Sequence, residues 1–434
     1  MIQKLKLSHF LILITVCIPK IITSYDNAHF YRARLFFYEP RLQKNYLSSL
    51  DISIAKGSTC KGIDCGCCCD ETCLLDICGC HNMQFLGKNV PGKDLSKETD
   101  VILHQLAQIP AMQDFARLSF SGEFRTWEVV FSYYQNFKRG FFFHIHAPFR
   151  KIEIRSICYK DISEKTDQNC AHINCPNFDD ANTYWQAFLN LFNQILKDHN
   201  LIFEKNVYCR GVGDLSVALG YTINHEDTDF LDFVDATIKC GVIIPIGKRK
   251  NEDIAFSIPI GYNGHTGLFG EFDVALGIYD WVTIGGNINI KWFNRRCRTI
   301  RIKTACEQNS FIKLAKDNAR VKHGNIYNIG AYFKADHFVS GLSFLIGYSY
   351  STKNDDELDC FKDPCTDCQI ANTDCARREW IMHTLHFWAE YDFTKEDNRF
   401  GPRVNTFYNH TARGKRVFKT GVGGLGFGID IVWD

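Results

Sequence analysis

The sequence predicts an all-β fold, a transmembrane antiparallel β-barrel of about 12 strands, with about 14 as the alternative. Three observations lead to this prediction. Segments of roughly ten residues between Gly211 and Asp434 alternate apolar and polar residues, with the period of two that strands require. Short connections alternate with long ones along the same region. No segment after the N-terminus is apolar over the ~20 residues of a membrane helix.

The N-terminus has the pattern of a secretory signal peptide. Two lysines precede an apolar run over residues 10–18, and Pro19 interrupts that run well short of the ~20 residues that a membrane-spanning helix needs. We therefore expect residues 1–24 to be removed on export and residues 25–434 to form the barrel.

The charge balance gives no reason to expect nucleic acid as a partner. The chain carries 50 Lys and Arg against 49 Asp and Glu, a formal net charge of +1, whereas nucleic-acid binding domains usually concentrate positive charge. Aromatic residues make up 14% of the 434 residues, and this content favours strands over disorder.

The hairpin predicted over residues 270–293 shows the alternation most clearly. Phe272, Leu276 and Ile288 belong to its apolar rows, which contain no charge. The opposite face is polar, so we expect lipid outside and a wet lumen inside. The same rule applied to the other strands predicts the lumen-lining residues Lys239, Glu271, Asp273, Asn287, Asn289, Lys291, Asn328, Lys334, His386, Glu390 and Asp392.

Aromatic residues near the strand ends predict where the barrel meets the membrane surface. Tyr279 and Trp281 stand in the tight turn "YDW", and Trp433 ends the last predicted strand. Tyr and Trp form belts at membrane–water interfaces. The last strand, "GGLGFGIDIVWD", resembles the C-terminal signal of outer-membrane proteins that the assembly machinery recognises, although here Asp434 follows the aromatic residue.

The first half of the chain is less regular. Residues 50–55, 126–134 and 139–157 are predicted strands, the last with a possible break at Pro148. Residues 30–38 form either a further strand or a segment threaded through the lumen. Because single-chain bacterial barrels have even strand numbers, we leave this segment out and predict about 12 strands.

Two long connections are predicted to lie outside the membrane and to carry short helices. The cysteine-rich loop 57–115 contains a helix with Ser96 as its N-cap and Pro110 at its end. The loop 159–211 contains an amphipathic helix whose apolar stripe includes Trp185. We expect each helix to pack on the barrel rim; the alternative is that one folds inward and plugs the lumen.

The chain has 20 cysteines, most of them in predicted outer loops. Cysteines clustered in the loops of an exported protein most simply form disulfides. The alternative is a metal bound at Cys365 and Cys368, but no second CxxC follows at the interval of a zinc ribbon, so we predict no metal site. The disulfide candidates, whose pairing stays open, are Cys60, Cys65, Cys67, Cys68, Cys69, Cys73, Cys78, Cys80, Cys170, Cys175, Cys297, Cys306, Cys360, Cys365, Cys368 and Cys375.

No catalytic motif is present. The sequence lacks GxSxG, the complete GxxxxGK(S/T) phosphate loop and HExxH, so we predict neither an enzyme nor a cofactor. His144 and His146 alternate along one predicted strand and could bind a metal, but two histidines without a nearby carboxylate or cysteine more simply line the lumen.

Together, the alternation, the turn asymmetry, the export signal and the last strand resemble Gram-negative outer-membrane β-barrels, especially porin-like and hydrophobic-solute transporter-like proteins. The stretches "FGEFDVALGIYDW" and "HFWAEYDFTKEDNRFGPRV" are similar to an uncharacterised family of outer-membrane proteins from bacteria that live inside protists. The resemblance implies the bacterial outer membrane as location, with the lipid bilayer and the assembly machinery as partners.

Two functions fit these features. The first is porin-like or transporter-like passage of small solutes through the lumen. The second is a non-transporting surface or structural protein that displays disulfide-stapled loops. A soluble exported sandwich ranks third, since its strands also alternate, and an outer-membrane enzyme ranks fourth.

Overall fold

A computed structural model describes residues 47–64, 71–111, 115–163, 178–226, 231–278, 281–339, 341–361, 367–393 and 399–433. Twelve of its strands form one closed antiparallel barrel, so the predicted fold class and strand number are confirmed. The segment 30–38 lies outside the described residues. Numbered along the chain, the barrel strands are β1 (Leu47–Thr59), β5 (Arg117–Asn136), β6 (Phe141–Asp161), β8 (Leu215–Glu226), β9 (Phe233–Ile244), β10 (Gly267–Ile278), β11 (Val282–Phe293), β14 (Ile326–Val339), β15 (Leu342–Lys353), β17 (Trp380–Asp392), β18 (Phe400–Lys415) and β20 (Gly421–Val432).

The barrel closes because its strand ladder has no free edge. Around the wall the order is β5, β1, β20, β18, β17, β15, β14, β11, β10, β9, β8 and β6, and β6 pairs again with β5. The last strand therefore lies beside the first, with Ile429 opposite Leu50. Every barrel strand has two hydrogen-bonded neighbours, as a backbone surrounded by lipid requires.

The pleat of each strand sends alternate side chains to opposite sides of the wall. In β10, Phe272 is 44% exposed whereas Glu271 is 7% exposed; in β11, Ile288 is 48% exposed whereas Asn289 is 2% exposed. The register pairs like with like, since Phe272 lies opposite Ile288 and Glu271 opposite Asn289. The outer face is therefore apolar and the inner face polar.

The two ends of the barrel differ. Tight turns join the strands at one end, here called the turn end, where β1 starts and β20 stops. The long connections meet at the opposite end, the loop end. They cover residues 60–116, 162–214, 245–266, 294–325 and 354–379.

Strands run further into the loops than expected. Because β1 continues to Thr59 and β6 to Asp161, the cysteine-rich connection starts at residue 60 instead of 57, and the helical one at 162 instead of 159.

Pro148 does not break β6. It lies where the neighbour of β6 changes from β8, which pairs as far as His146, to the short strand β7 (Val207–Val212), which pairs from Phe149. Proline has no N–H to donate to a ladder and is tolerated at such an interruption. Its carbonyl oxygen accepts a hydrogen bond of 2.6 Å from the N–H of Gly213.

The long connections fold together into a body at the loop end, here called the cap. Its helices are α1 (Glu98–Gln108), α2 (Phe178–Asp198) and α3 (Cys368–Asn372), followed by a 3₁₀ turn (Cys375–Arg377). A second 3₁₀ turn, Lys138–Gly140, lies at the turn end. The described helices include none with the length and apolarity to cross a membrane. The small strands are β2 (Lys61–Ile63), β3 (Glu71–Cys73), β4 (His81–Asn82), β12 (Arg296–Arg301), β13 (Lys316–Lys322), β16 (Glu357–Phe361) and β19 (Val417–Phe418).

Both predicted helices are present, but the predicted N-cap of α1 is wrong. Lys97 occupies that position without a side-chain capping bond, because the Ser96 hydroxyl donates to Asp94 instead. In α2, Phe192 is fully buried and its ring lies 6.4 Å from that of Phe120, which belongs to the part of β5 beyond its pairing with β1. This helix therefore packs in the cap above the rim.

Arginine on the outer face tests which side of the wall meets lipid. Ile288 lies at the middle of β11, whereas Leu276 lies two residues from the turn end of β10. We expect Ile288→Arg to lower the free energy of unfolding in lipid vesicles by about 2–4 kcal/mol, and Leu276→Arg by about 1 or less, because the cost of a charge falls from the midplane to the interface. Equal effects in urea unfolding, or no effect of Ile288→Arg, would contradict a lipid-facing outer wall.

Candidate functional site

The inner face of the barrel is the candidate functional site because the polar residues of the strands collect there. All eleven predicted lumen residues alternate with outward apolar residues. Four of them are partly exposed: Asp273, Lys291, Lys334 and Asp392. The other seven are at most 7% exposed: Lys239, Glu271, Asn287, Asn289, Asn328, His386 and Glu390.

Polar contacts link neighbouring strands in the middle of this face. Lys239 Nζ lies 3.0 Å from Glu271 Oε1, and the Asn289 amide donates to Glu271 Oε2 at 2.5 Å. The buried carboxylate is thereby neutralised and hydrogen-bonded, as a charge in a protein interior must be.

Asn287 follows one step toward the turn end. It is 3% exposed, and neither its amide nitrogen nor its amide oxygen has a hydrogen-bond partner among the described residues. A buried polar group without a partner costs about 1–3 kcal/mol. Asn287 therefore holds a donor and an acceptor on the inner face that no described residue uses.

A second group of contacts lies between β14, β15, β17 and β18. His386 is fully buried, with Nε2 2.8 Å from Ser349 Oγ and Nδ1 2.8 Å from Asn409 Oδ1. Ser351 donates to Asn328 Oδ1 at 2.8 Å. Both ring nitrogens of His386 are occupied, so this residue crosslinks three strands.

One buried arginine gathers carboxylates near the turn end. Arg403 has a side chain that is 1% exposed, and its guanidinium lies 3.0 Å from Asp430, 3.2 Å from Asp51 and 3.4 Å from Glu390. It also donates to Ser49 Oγ at 3.0 Å. Of this cluster, only Glu390 is among the predicted site residues. The alternation in "GPRVNTFYNH" places Arg403 on the polar face and could have identified it.

Large rings narrow the lumen. Trp388 is 4% and Phe407 8% exposed, both on the inner face. Across the barrel, Phe142 packs on Gly220, where a Cβ atom would lie 2.1 Å from the ring. The missing side chain lets this ring lie close to the wall. Large rings therefore line the inner face on both sides of the barrel.

The cap and the loop end of the barrel share one hydrophobic core. It extends from Leu103 of α1 and Phe188 of α2 to Phe269 and Trp388 of the barrel. The cap is therefore packed on the loop end and does not consist of loose loops.

Arg301 fastens three connections of the cap to one another. Its guanidinium donates to the carbonyl oxygens of Glu252 at 2.6 Å and Leu314 at 2.8 Å, and to that of Asn200 at 2.6 Å. Burial lowers the pKa of Arg301 to about 10, which still leaves it charged at neutral pH. Charged donors make strong hydrogen bonds, so Arg301 helps fix the cap.

His81, beside the cysteine-rich segment, is a buried residue that contacts other parts of the cap through both ring nitrogens. It is 1% exposed, with Nδ1 2.8 Å from Ser310 Oγ and Nε2 3.0 Å from the Leu75 carbonyl oxygen. Burial lowers its pKa to about 4, so the ring is neutral. Groups of three or more metal-ligating side chains are absent from the described part of the chain.

The remaining predicted residues are distributed over both ends. Trp281 and Trp433 are 49% and 56% exposed at the turn end, whereas Tyr279 lies outside the described residues. The disulfide candidates that also lie outside the described residues are Cys65, Cys67, Cys68, Cys69, Cys170, Cys175 and Cys365. Cys360 lies in β16. Eight disulfide candidates have described side chains, without a disulfide between any two of them: Cys60, Cys73, Cys78, Cys80, Cys297, Cys306, Cys368 and Cys375.

The outer wall carries a hollow of about 1080 Å³ on β8 to β11. Much of its lining consists of exposed apolar side chains, such as Leu219 at 62% and Trp292 at 45% exposure. An apolar hollow on this face suits hydrocarbon chains.

Removal of the Arg403 charge tests the turn-end cluster. We expect Arg403→Gln to lower the free energy of unfolding by about 3 kcal/mol, because the carboxylates around it lose their partner in a largely buried place. The matched control Arg413→Gln changes an exposed arginine of the same strand and should cost at most about 0.5 kcal/mol. Urea unfolding in detergent micelles measures both, and similar stabilities of the two variants would refute the buried charge cluster.

Comparison with known proteins finds similarity to solved barrels of several kinds. No protein-family model and no curated protein sequence matches it. An outer membrane channel from Pseudomonas putida F1 aligns over 91% of this chain and 100% of its own, with 8% identity and a TM-score of 0.45. The Pseudomonas putida toluene transporter TodX aligns over 94% of each chain, with 9% identity and a TM-score of 0.28.

The translocator domain of the autotransporter NalP from Neisseria meningitidis aligns over 90% of each chain, with 7% identity and a TM-score of 0.30. A channel, a toluene transporter and an autotransporter domain share an architecture and differ in what they do. Function resides in sites carried by a fold, so these likenesses transfer no activity to this chain.

Proposed function

We propose that the chain is an exported outer-membrane protein whose barrel passes small polar solutes through a narrow, capped lumen. The observation that carries this proposal is the buried Asn287 amide, with unused hydrogen-bonding atoms on a polar inner face. We base the proposal of solute passage on the residues of this chain's inner face and not on its similarity to solved barrels.

The outer wall supports the membrane location. Outward side chains such as Leu219, Ile238 and Ile329 are 62%, 60% and 52% exposed although they are apolar. A strand of 12 residues, such as β11, rises about 28 Å along the normal when tilted by about 45°, close to the ~30 Å of a hydrocarbon core. Trp281 and Trp433 would lie at one interface.

Two segments of the chain support export and assembly. Residues 1–24 would direct the chain across the inner membrane as a signal peptide. β20 with Trp433 would be the strand that the assembly machinery recognises. The tight turns would then face the periplasm and the cap the exterior, the usual orientation of such barrels.

The composition of the lumen favours small polar solutes over hydrophobic ones. Asn287, Asn289 and Asn328 offer amide groups, and Lys239 neutralises Glu271. Mixed charges of both signs on the inner face predict weak ion selectivity. The inward rings and the cap predict passage that is slower than through an open porin, and gated where the cap meets the rim.

The alternative is a non-transporting surface or structural protein. The cap favours it, because connections of this size, packed into the hydrophobic core that they share with the loop end of the barrel, exceed what joining strands requires. On this alternative the lumen network only holds the barrel together and the cap meets the surroundings.

Widening the lumen separates the two functions. Trp388→Ala removes a ring that is 4% exposed on the inner face, and the matched control Phe387→Ala removes a neighbouring ring that is 37% exposed on the outer face. In planar bilayers we expect discrete conductance steps for the wild type, larger steps for Trp388→Ala and unchanged steps for Phe387→Ala.

Two results would reject passage. One is the absence of steps for all three proteins in membranes where they are shown to be folded, which would favour the surface protein. The other is an equal change of conductance in both variants, because a ring outside the wall cannot obstruct the lumen.

A further inference from the structure

Two cysteines from distant parts of the chain meet inside the cap. Cys78 lies in the connection 60–116, and Cys375 begins the 3₁₀ turn in the connection 354–379. Cys375 Sγ lies 3.9 Å from the carbonyl oxygen of Cys78, toward which its thiol points as a donor. Both residues are partly buried.

Hydrogen bonds hold the backbone of Cys375 in place. Asp374 accepts the N–H of Ala376 at 3.0 Å and so caps the turn that Cys375 begins. Lys313 Nζ lies 2.7 Å from the same carboxylate. Asp374 is thereby tied to a connection other than its own, which limits the freedom of Cys375.

The other cysteine is held equally closely. The carbonyl oxygen of Asp76 accepts the N–H of Gly79 at 2.8 Å, so Cys78 lies within a tight turn. The Asp76 carboxylate accepts the N–H of Phe120 at 2.8 Å, which ties this turn to β5. A disulfide forms most readily between thiols that are already juxtaposed.

The surroundings divide the two thiols into a nucleophile and a resolving partner. The neighbouring Cys78 thiol lowers the pKa of Cys375, and the positive charges of Arg416 and Lys313 add to this against the effect of burial. Burial raises the pKa of Cys78. Cys375 is therefore the thiol that carries the thiolate, the reactive form.

We propose that Cys78 and Cys375 form a disulfide that fastens the connection 60–116 to the connection 354–379 and holds the cap on the barrel. The Cys375 thiolate attacks one sulfur of a small disulfide oxidant and releases a thiolate. The Cys78 thiol then loses its proton and attacks the Cys375 sulfur, releasing the second thiolate. Two protein thiols lose two electrons and two protons, and the oxidant becomes two thiols.

This pairing does not depend on solute passage, because it concerns only the cap. It selects one pair from the many combinations that the cysteine count allows. It also predicts a redox-dependent cap, since reduction would release the two connections from each other.

The test maps the crosslink in the folded full-length protein. The protein in detergent micelles is treated with oxidised glutathione, alkylated, and digested with a protease that cleaves before aspartate. Residues 76–93 and 374–391 then lie in separate peptides, and the second contains no cysteine but Cys375. We expect mass spectrometry to find these peptides linked, and the link to disappear after dithiothreitol.

The first peptide also contains Cys80, so two matched variants identify the partner. Cys78→Ser should abolish the link and Cys80→Ser should preserve it. In each variant, heat-modifiable migration checks that the barrel is folded. Limited proteolysis gives a second readout, because oxidation should slow cleavage of the cap in the wild type and in Cys80→Ser but not in Cys78→Ser.

Three results would overturn the proposal. The first is alkylation of both thiols in the oxidised, folded wild type. The second is a link that persists in Cys78→Ser. The third is a link of Cys375 to a different peptide.

Discussion

Closure of the strand ladder is the constraint on which the rest of the structure depends. β1 pairs with β20 on one side and with β5 on the other, and β5 pairs with β6, so the described barrel has no edge strand. Closure separates the outside of the barrel from its lumen by a single layer of backbone. With side chains alternating across that layer, every strand must supply one apolar row and one polar row.

Most polar side chains of the inner face are buried, and a buried charge is costly unless it is paired. The barrel pairs these charges: Lys239 with Glu271 at mid-height, and Arg403 with three carboxylates near the turn end. The contact of Arg403 with Asp51 also joins β18 to β1, two strands that are distant in sequence. The same interactions therefore stabilise the barrel and set the polarity of any path through it. Among the described residues, Asn287 keeps both amide atoms without a hydrogen-bond partner.

Much of the barrel could be predicted from the sequence, because a strand between lipid and lumen records both surroundings in its own alternation. The neighbouring residues Ile288 and Asn289 show this: the apolar Ile288 is exposed on the outer face and the polar Asn289 is buried on the inner face. Arg403 follows the same alternation, so its place on the inner face could also have been predicted from the sequence. The cap could not be predicted in this way: Arg301 binds carbonyl oxygens near residues 200, 252 and 314, and such contacts between irregular connections leave no periodic signal. The approach of Cys375 to Cys78 depends on the same folding of the cap.

A closed barrel with an apolar exterior makes one direct physical claim, that the folded chain resides in a bilayer and keeps its shape in detergent. Electrophoresis of boiled and unboiled protein, together with flotation of lipid vesicles, measures both parts of this claim. The structure predicts that the unboiled protein migrates differently from the boiled one and floats with the vesicles. Identical migration, with the protein soluble without detergent and absent from the floating fraction, would contradict it.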